Sequence, residues 1–571
     1  MSPAETFAAA MRHHQAGQLA EAERLYGAVL AAEPTHLQAL TLSGALAHMA
    51  GRNAKAIDLF GRALAIAEDP NLHYNIGLAK WGLGERVAAV AHWQRAIALH
   101  PNFAQAHMNL GNALREAGRI EEALPHLRQA LHLQPSPFAH NNLGLALAGR
   151  GDPQAAMHFR RAIEMDPAYP EPYLNLALEL AAQGDIEQAL GFARRSLQIR
   201  ETPANKALFV RIASVLDTFV EDAGLRALVT RAATEGWPGA SDLAPLATTL
   251  VKHDPRPDDP LLRWLLVSGP ICDLTLEAFL AANRTMLLES AERAPEIWRD
   301  EQLTFASALA RQCFINEYVY AASEDELARA SRLRDMVLAA GAAAAPAHIA
   351  AVAAYFPLHS LSVADALLPD SLPEPVAAVI HQQVREPRLE AECRASIARL
   401  TPIEDDVSRR VQQQYEQNPY PRWVAPEARP KYDSLDALMQ RERPHAPYRA
   451  LGNRDLEILI AGCGTGRHSI GVAQQFERAN VLAVDLSSAS LGYAKARTEA
   501  LGLTNIEYGQ ADILALGSLG RTFDMIQSVG VLHHIGDPWA AWRVLNSLLR
   551  PGGVMFVGLY SELARHDVAA A

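Results

Sequence analysis

Residues 462–466, Gly-Cys-Gly-Thr-Gly, have the composition of a loop that grips a charged ligand. They follow a short apolar run, residues 456–461, of the kind that forms a buried parallel strand. A helical pattern begins directly after them. Three glycines at alternate positions let the backbone turn sharply and approach a ligand closely. The N–H groups of such a turn, and of the helix it opens, attract a carboxylate or phosphate. A dinucleotide fingerprint would need a further glycine where this chain has Arg467. The next strand-like run, residues 480–484, ends in Asp485, whose carboxylate can accept from both hydroxyls of a ribose. Backbone donors for a carboxylate and an acid for a ribose together suit S-adenosylmethionine.

The supporting strands and helices come next along the chain. Residues 506–510 read as a third strand, followed by Ala511-Asp512-Ile513. Residues 523–528 read as a fourth and lead into Val531-Leu532-His533-His534. Residues 548–553 read as a helix end with a glycine turn, before a fifth strand at 554–559. Over roughly residues 405–560 this ordered set resembles the class I S-adenosylmethionine-dependent methyltransferases. The resemblance implies a Rossmann-like α/β domain with a parallel sheet.

It also implies roles. Gly462, Cys463, Gly464 and Gly466 would cradle the methionine end of the cofactor, and Asp485 would take the ribose hydroxyls. Leu486 would pack near the adenine, Asp512 would accept from its amine, and Ile513 would lie beside the ring. Ser528 would stand where substrate and cofactor meet. Methyl transfer from a sulfonium is an in-line displacement that needs alignment and exclusion of water more than a dedicated base. His533 and His534 are the candidates for a base near neutral pH, with helix capping and packing as the alternative. Ile460 stands where many relatives carry an acid. Ser528-Val529-Gly530-Val531 replaces the Asn-Pro-Pro-Tyr type of loop, which argues against amide or base N-methylation. The sheet is expected to stop after its fifth strand, because residues 565–571 cannot supply the missing helix and hairpin.

The first third repeats itself. Gly17, Gly51, Gly84, Gly118, Gly151 and Gly184 recur at a spacing of 33 or 34 residues, and Gly44, Gly77, Gly111 and Gly144 form a second series. A third is Ala22/Tyr26, Ala56/Phe60, Ala89/Trp93, Ala123/Leu127 and Ala155/Phe159. Prolines from Pro34 to Pro167 end the units. Period and pattern resemble tetratricopeptide repeats, about six of them. Asn75, Asn109, Asn142 and Asn175 share one face of successive first helices, which line the concave surface of such a solenoid. An amide donates and accepts at once, as a peptide backbone requires. The series resembles the asparagine ladder of arrays that hold extended peptides, O-GlcNAc transferases among them, so a protein or peptide partner is expected. Satisfaction of local backbone groups is the alternative.

The expected layout is therefore a repeat array over 1–201, an all-helical middle over 202–404, an extension over 405–455 and the cofactor-binding core over 456–571. In the middle, Tyr318 and Tyr320 read as an aromatic core contact with polar partners, or else as the wall of a channel. In the extension, a helix over 405–417 runs into Asn418-Pro419-Tyr420-Pro421-Arg422-Trp423. This element reads as a lid that brings Tyr415, Tyr420 or Trp423 to the cofactor, or as a rigid linker. Repeats, helical middle and this element together resemble bacterial tetratricopeptide-containing methyltransferases.

Composition limits the partners. Of 571 residues, 52 are Lys or Arg and 64 Asp or Glu, a net charge of −12 that offers nucleic acid no global basic field. Cys272, Cys313, Cys393 and Cys463 lack metal-ligand spacing, so no metal is expected, and they suggest a reducing compartment. No signal peptide or membrane span is read, so the expected location is cytoplasmic. Three functions are compatible with these features: a methyltransferase whose repeats recruit a protein or peptide, a small-molecule O- or C-methyltransferase docked through its repeats, and a binding adaptor with an inactive domain.

Overall fold

In the computed structural model the described residues are 1–216, 223–367, 372–417, 422–424, 429–443, 446–452 and 454–559. Residues 418–421 of the proline-rich element, Tyr420 included, fall outside them. So do residues 560–571, and with them the expectation that the sheet stops after its fifth strand. The chain divides into two compact units, Met1–Leu216 and Asp217–Ala571.

The first unit is a row of helical hairpins, twelve helices from Pro3–Gln15 to Ile186–Ile199, followed by Pro203–Ala213. The three small-residue series explain its geometry. The Gly17 series ends each first helix in the left-handed region, with φ of 72–83°. The second series lets the helices of a hairpin touch. A Cβ at Gly77 would lie 2.4 Å from the Trp93 ring, and one at Gly44 2.6 Å from Phe60. Tyr26, Phe60, Trp93, Leu127 and Phe159, the large members of the third series, are buried against them.

The second unit opens with helices, then closes on a six-stranded parallel sheet. Its strands are β1 (Ala398–Arg399), β2 (Leu456–Ala461), β3 (Ala479–Asp485), β4 (Ile506–Gln510), β5 (Phe523–Val529) and β6 (Leu549–Gly558), in the order β1-β4-β3-β2-β5-β6. Apolar residues cover both faces, as buried parallel strands require. Two differences from the sequence reading stand out. The sheet reaches upstream into the helical middle, where β1 pairs with β4. Strand β6 begins at Leu549, not at 554, and its pairing with β5 is irregular between Phe523 and Met525.

Tyr318 and Tyr320 belong to the helical core. The Tyr318 hydroxyl donates to Ala353 O (3.2 Å) and Gln383 Oε1 (3.3 Å), and Tyr320 is buried. Gln383 is fully buried in a π-helical turn, His381–Arg385, and donates in addition to Ala310 O and Ala353 O. The next helix, Glu386–Ala395, lies on helix Ser488–Ala500 so closely that a Cβ on Gly492 would stand 2.7 Å from Glu390 O. Arg497 grips Glu386 through two bonds, of 2.8 and 3.1 Å, and fixes the same contact.

Among the described residues no helix is long and apolar enough to cross a membrane.

Candidate active site

The carboxyl ends of β2, β3, β4 and β5 surround a cavity of about 380 Å³. This is where an open parallel sheet places its ligand, because the loops diverge on either side of β2. Gly462, Gly464 and Gly466 take φ of 81°, 52° and 85°, the left-handed conformation that glycine adopts without strain. The turn is tied to β3: Gly462 N and Cys463 N donate to Val484 O at 2.8 and 3.0 Å. A Cβ on Gly462 would enter Val531, whereas one on Gly464 would meet no protein atom within 4 Å.

Asp485 closes this corner. Its Oδ2 accepts from Gly464 N (2.8 Å) and its Oδ1 from Ser487 N (3.0 Å). Enclosure by the cavity wall raises its pKa above the ordinary 3.8, against the pull of those N–H donors. Burial and the nearby Asp485 push the Cys463 thiol up strongly, so it stays protonated. Asp512 is nearly buried, with Oδ1 accepting from Leu514 N (3.0 Å) and its own N–H donating to Thr401 Oγ1 (2.8 Å).

The cavity thus gathers Gly462, Cys463, Gly464, Asp485, Leu486, Asp512 and Ile513 in one wall. Gly466, Ser528 and His533, expected with them, do not line it. Gly466 is where the turn packs on helix Ser488–Ala500, since a Cβ there would lie 2.5 Å from Ala494 Cβ. Ser528 is fully buried and its Oγ donates to Ala461 O (3.0 Å), stapling β5 to β2. Of the two histidines, His534 lines the cavity; the His533 ring stands beside it at 4.1 Å between centroids.

Sequence reading offered Tyr415 but missed other parts of the wall. His468 lines it, with Nδ1 accepting from Arg429 Nη2 (2.9 Å), so that Nε2 is the protonated nitrogen facing Gln527 Oε1 (2.5 Å). The roof is helix Asp406–Gln417, which contributes Ser408, Val411 and Tyr415. Glu416 holds it down by accepting from Ser488 N (2.7 Å) and Ala489 N (3.2 Å), at the start of the helix after β3. A carboxylate at a helix N-terminus satisfies free N–H groups and the dipole together. At the other end Val407 packs on Gly536. Trp423 does not reach the cavity. It is buried, donates from Nε1 to Thr465 O (2.9 Å), and exchanges backbone hydrogen bonds with the Tyr493 hydroxyl. Both readings of the extension therefore have a counterpart, with Tyr415 in the roof and Trp423 as a pin beneath the glycine turn.

In the repeat unit Asn75, Asn109, Asn142 and Asn175 are each half-buried on their first helices. Two of them reach the preceding repeat: Asn109 Nδ2 donates to the Tyr74 hydroxyl (3.2 Å) and Asn175 Nδ2 to Asn141 Oδ1 (2.9 Å).

Comparison with known proteins agrees with this division. Residues 458–553 match the methyltransferase domain family, and residues 7–72, 74–140, 110–170 and 173–202 match tetratricopeptide repeat families. The chain is 36% identical over 116 residues to the ubiquinone biosynthesis O-methyltransferase of Parvibaculum lavamentivorans, covering 20% of this chain and 45% of that one. It is 35% identical over 136 residues to the trans-aconitate 2-methyltransferase of Deinococcus radiodurans, covering 24% and 45%. An uncharacterized protein of Synechococcus sp. shares 36% identity over 112 residues, 19% of this chain and 27% of that one. The chain spans less than half the length of each of these curated relatives. Among solved structures, MamA aligns at 26% identity with a TM-score of 0.27, over 28% of this chain and 94% of that one. The chain is a tetratricopeptide repeat protein that carries a methyltransferase domain.

Proposed function

We propose that the protein transfers a methyl group from S-adenosylmethionine and that its repeat array brings a protein or peptide to be methylated. The reading rests on one observation: Asp485, Asp512 and the open side of Gly464 face a single roofed cavity at the tips of successive strands. The turn lets the methionine end approach the backbone at Gly464, where a side chain would stand in its way, while Asp485 accepts from the ribose and Asp512 from the adenine amine. When bound, the cofactor supplies the activated methyl group. The chain's own residues hold it, exclude water beneath helix Asp406–Gln417, and present His534 and His468 towards the acceptor side. Four free cysteines support a reducing, cytoplasmic setting.

The test is calorimetry with S-adenosylhomocysteine on the wild-type chain and on Asp485→Ala. Micromolar binding that the substitution weakens by at least tenfold supports the reading; equal affinity for both proteins refutes it. Radiolabelled transfer from the cofactor into a lysate then reports the acceptor. A small-molecule acceptor is the second reading, favoured by the relatives whose names specify ubiquinone biosynthesis and trans-aconitate. Label in a small product and not in protein would select it.

A further inference from the structure

Three successive repeats carry a pair of histidines at one position. His73 faces His92, His107 faces His126, and His140 faces His158, with Nδ1···Nδ1 separations of 3.0, 2.9 and 3.0 Å. In each pair the first residue is on the first helix of a hairpin and its partner is on the second. Ring centroids lie 5.1–5.3 Å apart with interplanar angles of 35–37°. That is the separation of two imidazoles meeting nitrogen to nitrogen, head-on. Two ring nitrogens on one tetrahedral zinc ion would stand about 3.3 Å apart, further than these do. Among the described residues no three His, Cys, Asp or Glu side chains converge on a metal position.

The flanking repeats fill the same register with aliphatic or aromatic side chains that take up no proton in this pH range. Leu40 and Leu59 occupy it in the second repeat, both buried, and Tyr173 and Phe192 in the sixth, 6.3 Å apart. The hairpin therefore closes without histidine there. A polar pair where an apolar one suffices adds chemistry and not packing.

In the first two pairs an acceptor beside the first-helix ring fixes the protons. His107 Nε2 donates to Pro101 O (3.0 Å), so in the neutral ring Nδ1 is the acceptor and His126 Nδ1–H is the donor. His73 Nε2 points to Glu68 at 3.7 Å, which selects the same arrangement. A first added proton goes to the outer Nε2 of the second-helix ring and leaves the N–H···N bond in place. A second must enter the bond itself. It sets two N–H donors and two positive charges head-on at about 3 Å, so the bond breaks and the helices part.

We propose that His73–His92, His107–His126 and His140–His158 are three proton-binding sites that make repeats three to five open on acidification, while the flanking repeats stay closed. The charged groups that face them are few and partly cancel. Lys80 and Arg95 face the first pair and oppose Glu68. Glu122 faces the second. Arg161 and Arg128 face the third and oppose Asp152. Burial is the leading cause that lowers the pKa of His73, His92, His126, His140 and His158 below 6.5. A base with a lowered folded value is outcompeted for protons by the unfolded chain. The stability these pairs give is thus complete above pH 6.5 and is lost as pH falls from there through the lowered values. Opened and closed hairpins differ by at least one proton per pair.

Hydrogen–deuterium exchange of the full chain at about pH 7.5 and 5.5, corrected for intrinsic rates, tests this. Each pair should shift its opening equilibrium about tenfold at the lower pH. Protection is expected to fall in residues 70–165 and to hold in residues 1–66 and 170–199. Uniform protection at both pH values overturns the proposal. Replacing all six histidines by leucine, as the second repeat has them, should abolish the selective loss; persistence of the loss overturns it too. If the sixfold variant does not fold, H140L/H158L gives the same readout in one hairpin. Zinc ions that protect the same peptides at the higher pH would show metal ligands instead of hydrogen-bonded pairs, and would overturn it as well.

Discussion

Asp485 meets two opposed demands. Its carboxylate braces the glycine turn through Gly464 N–H and stands in an enclosed wall that disfavours its charge. Ribose hydroxyls would donate to the charged form. Affinity for S-adenosylhomocysteine is therefore expected to fall as pH is lowered through the raised pKa of Asp485, with a slope of one proton. Asp485→Asn should bind weakly at every pH. The folded value is raised above 3.8, so protonation stabilises the fold and the ionised group costs stability as pH rises through that value. The melting temperature of the wild type relative to that of Asp485→Asn should therefore decline as pH rises from about 4 to about 7; a difference that does not change with pH would contradict the account. That Asp485, Asp512, Gly462 and Gly464 share one wall was legible, because strand-end acids and alternate glycines announce themselves by spacing. Ser528 was not, because the pleat of β5 aims it at Ala461, and spacing does not reveal which way a side chain points at a strand tip.

Helix Asp406–Gln417 owes its place to Glu416. Glu416→Ala should speed release of S-adenosylhomocysteine in stopped flow severalfold, with only about 1 kcal/mol lost on unfolding, the typical worth of a helix cap. An unchanged off-rate would mean that the roof is held elsewhere. Helix Ser488–Ala500 depends on Gly492, because the neighbour that a Cβ would meet is the backbone oxygen of Glu390. Gly492→Ala should destabilise the second unit by about 1–3 kcal/mol, read by chemical denaturation. The roof helix was legible from its pattern. Strand β1 was not: two residues carry no periodicity, and only the pairing of Ala398 with Gly509 makes them a strand. A Cβ on Gly509 would lie 2.2 Å from Leu400, a close approach that the sequence shows only as one more glycine.

At the scale of the molecule, the two compact units predict two separable unfolding events. Calorimetry with S-adenosylhomocysteine at about a hundred times its Kd should stabilise the event of the second unit by about 2.7 kcal/mol and leave the other unmoved. Replacing Asn75, Asn109, Asn142 and Asn175 by alanine should abolish methyl labelling of a protein acceptor while cofactor affinity is retained. The repeat layout was the most legible part of the chain, since its period writes the same contact many times. The helical middle was the least legible. Its core hangs on Gln383, whose partners at Ala310, Ala353 and Tyr318 lie 30–73 residues away.

The roof helix also has a consequence for biosynthesis. Glu416 leaves the ribosome 72 residues before the Ser488 amide that it caps. At about 5–20 residues per second it waits roughly 4–14 s for that partner. For those seconds Val411 and Tyr415 are without the cavity they will cover, a ready target for a chaperone that works on nascent chains.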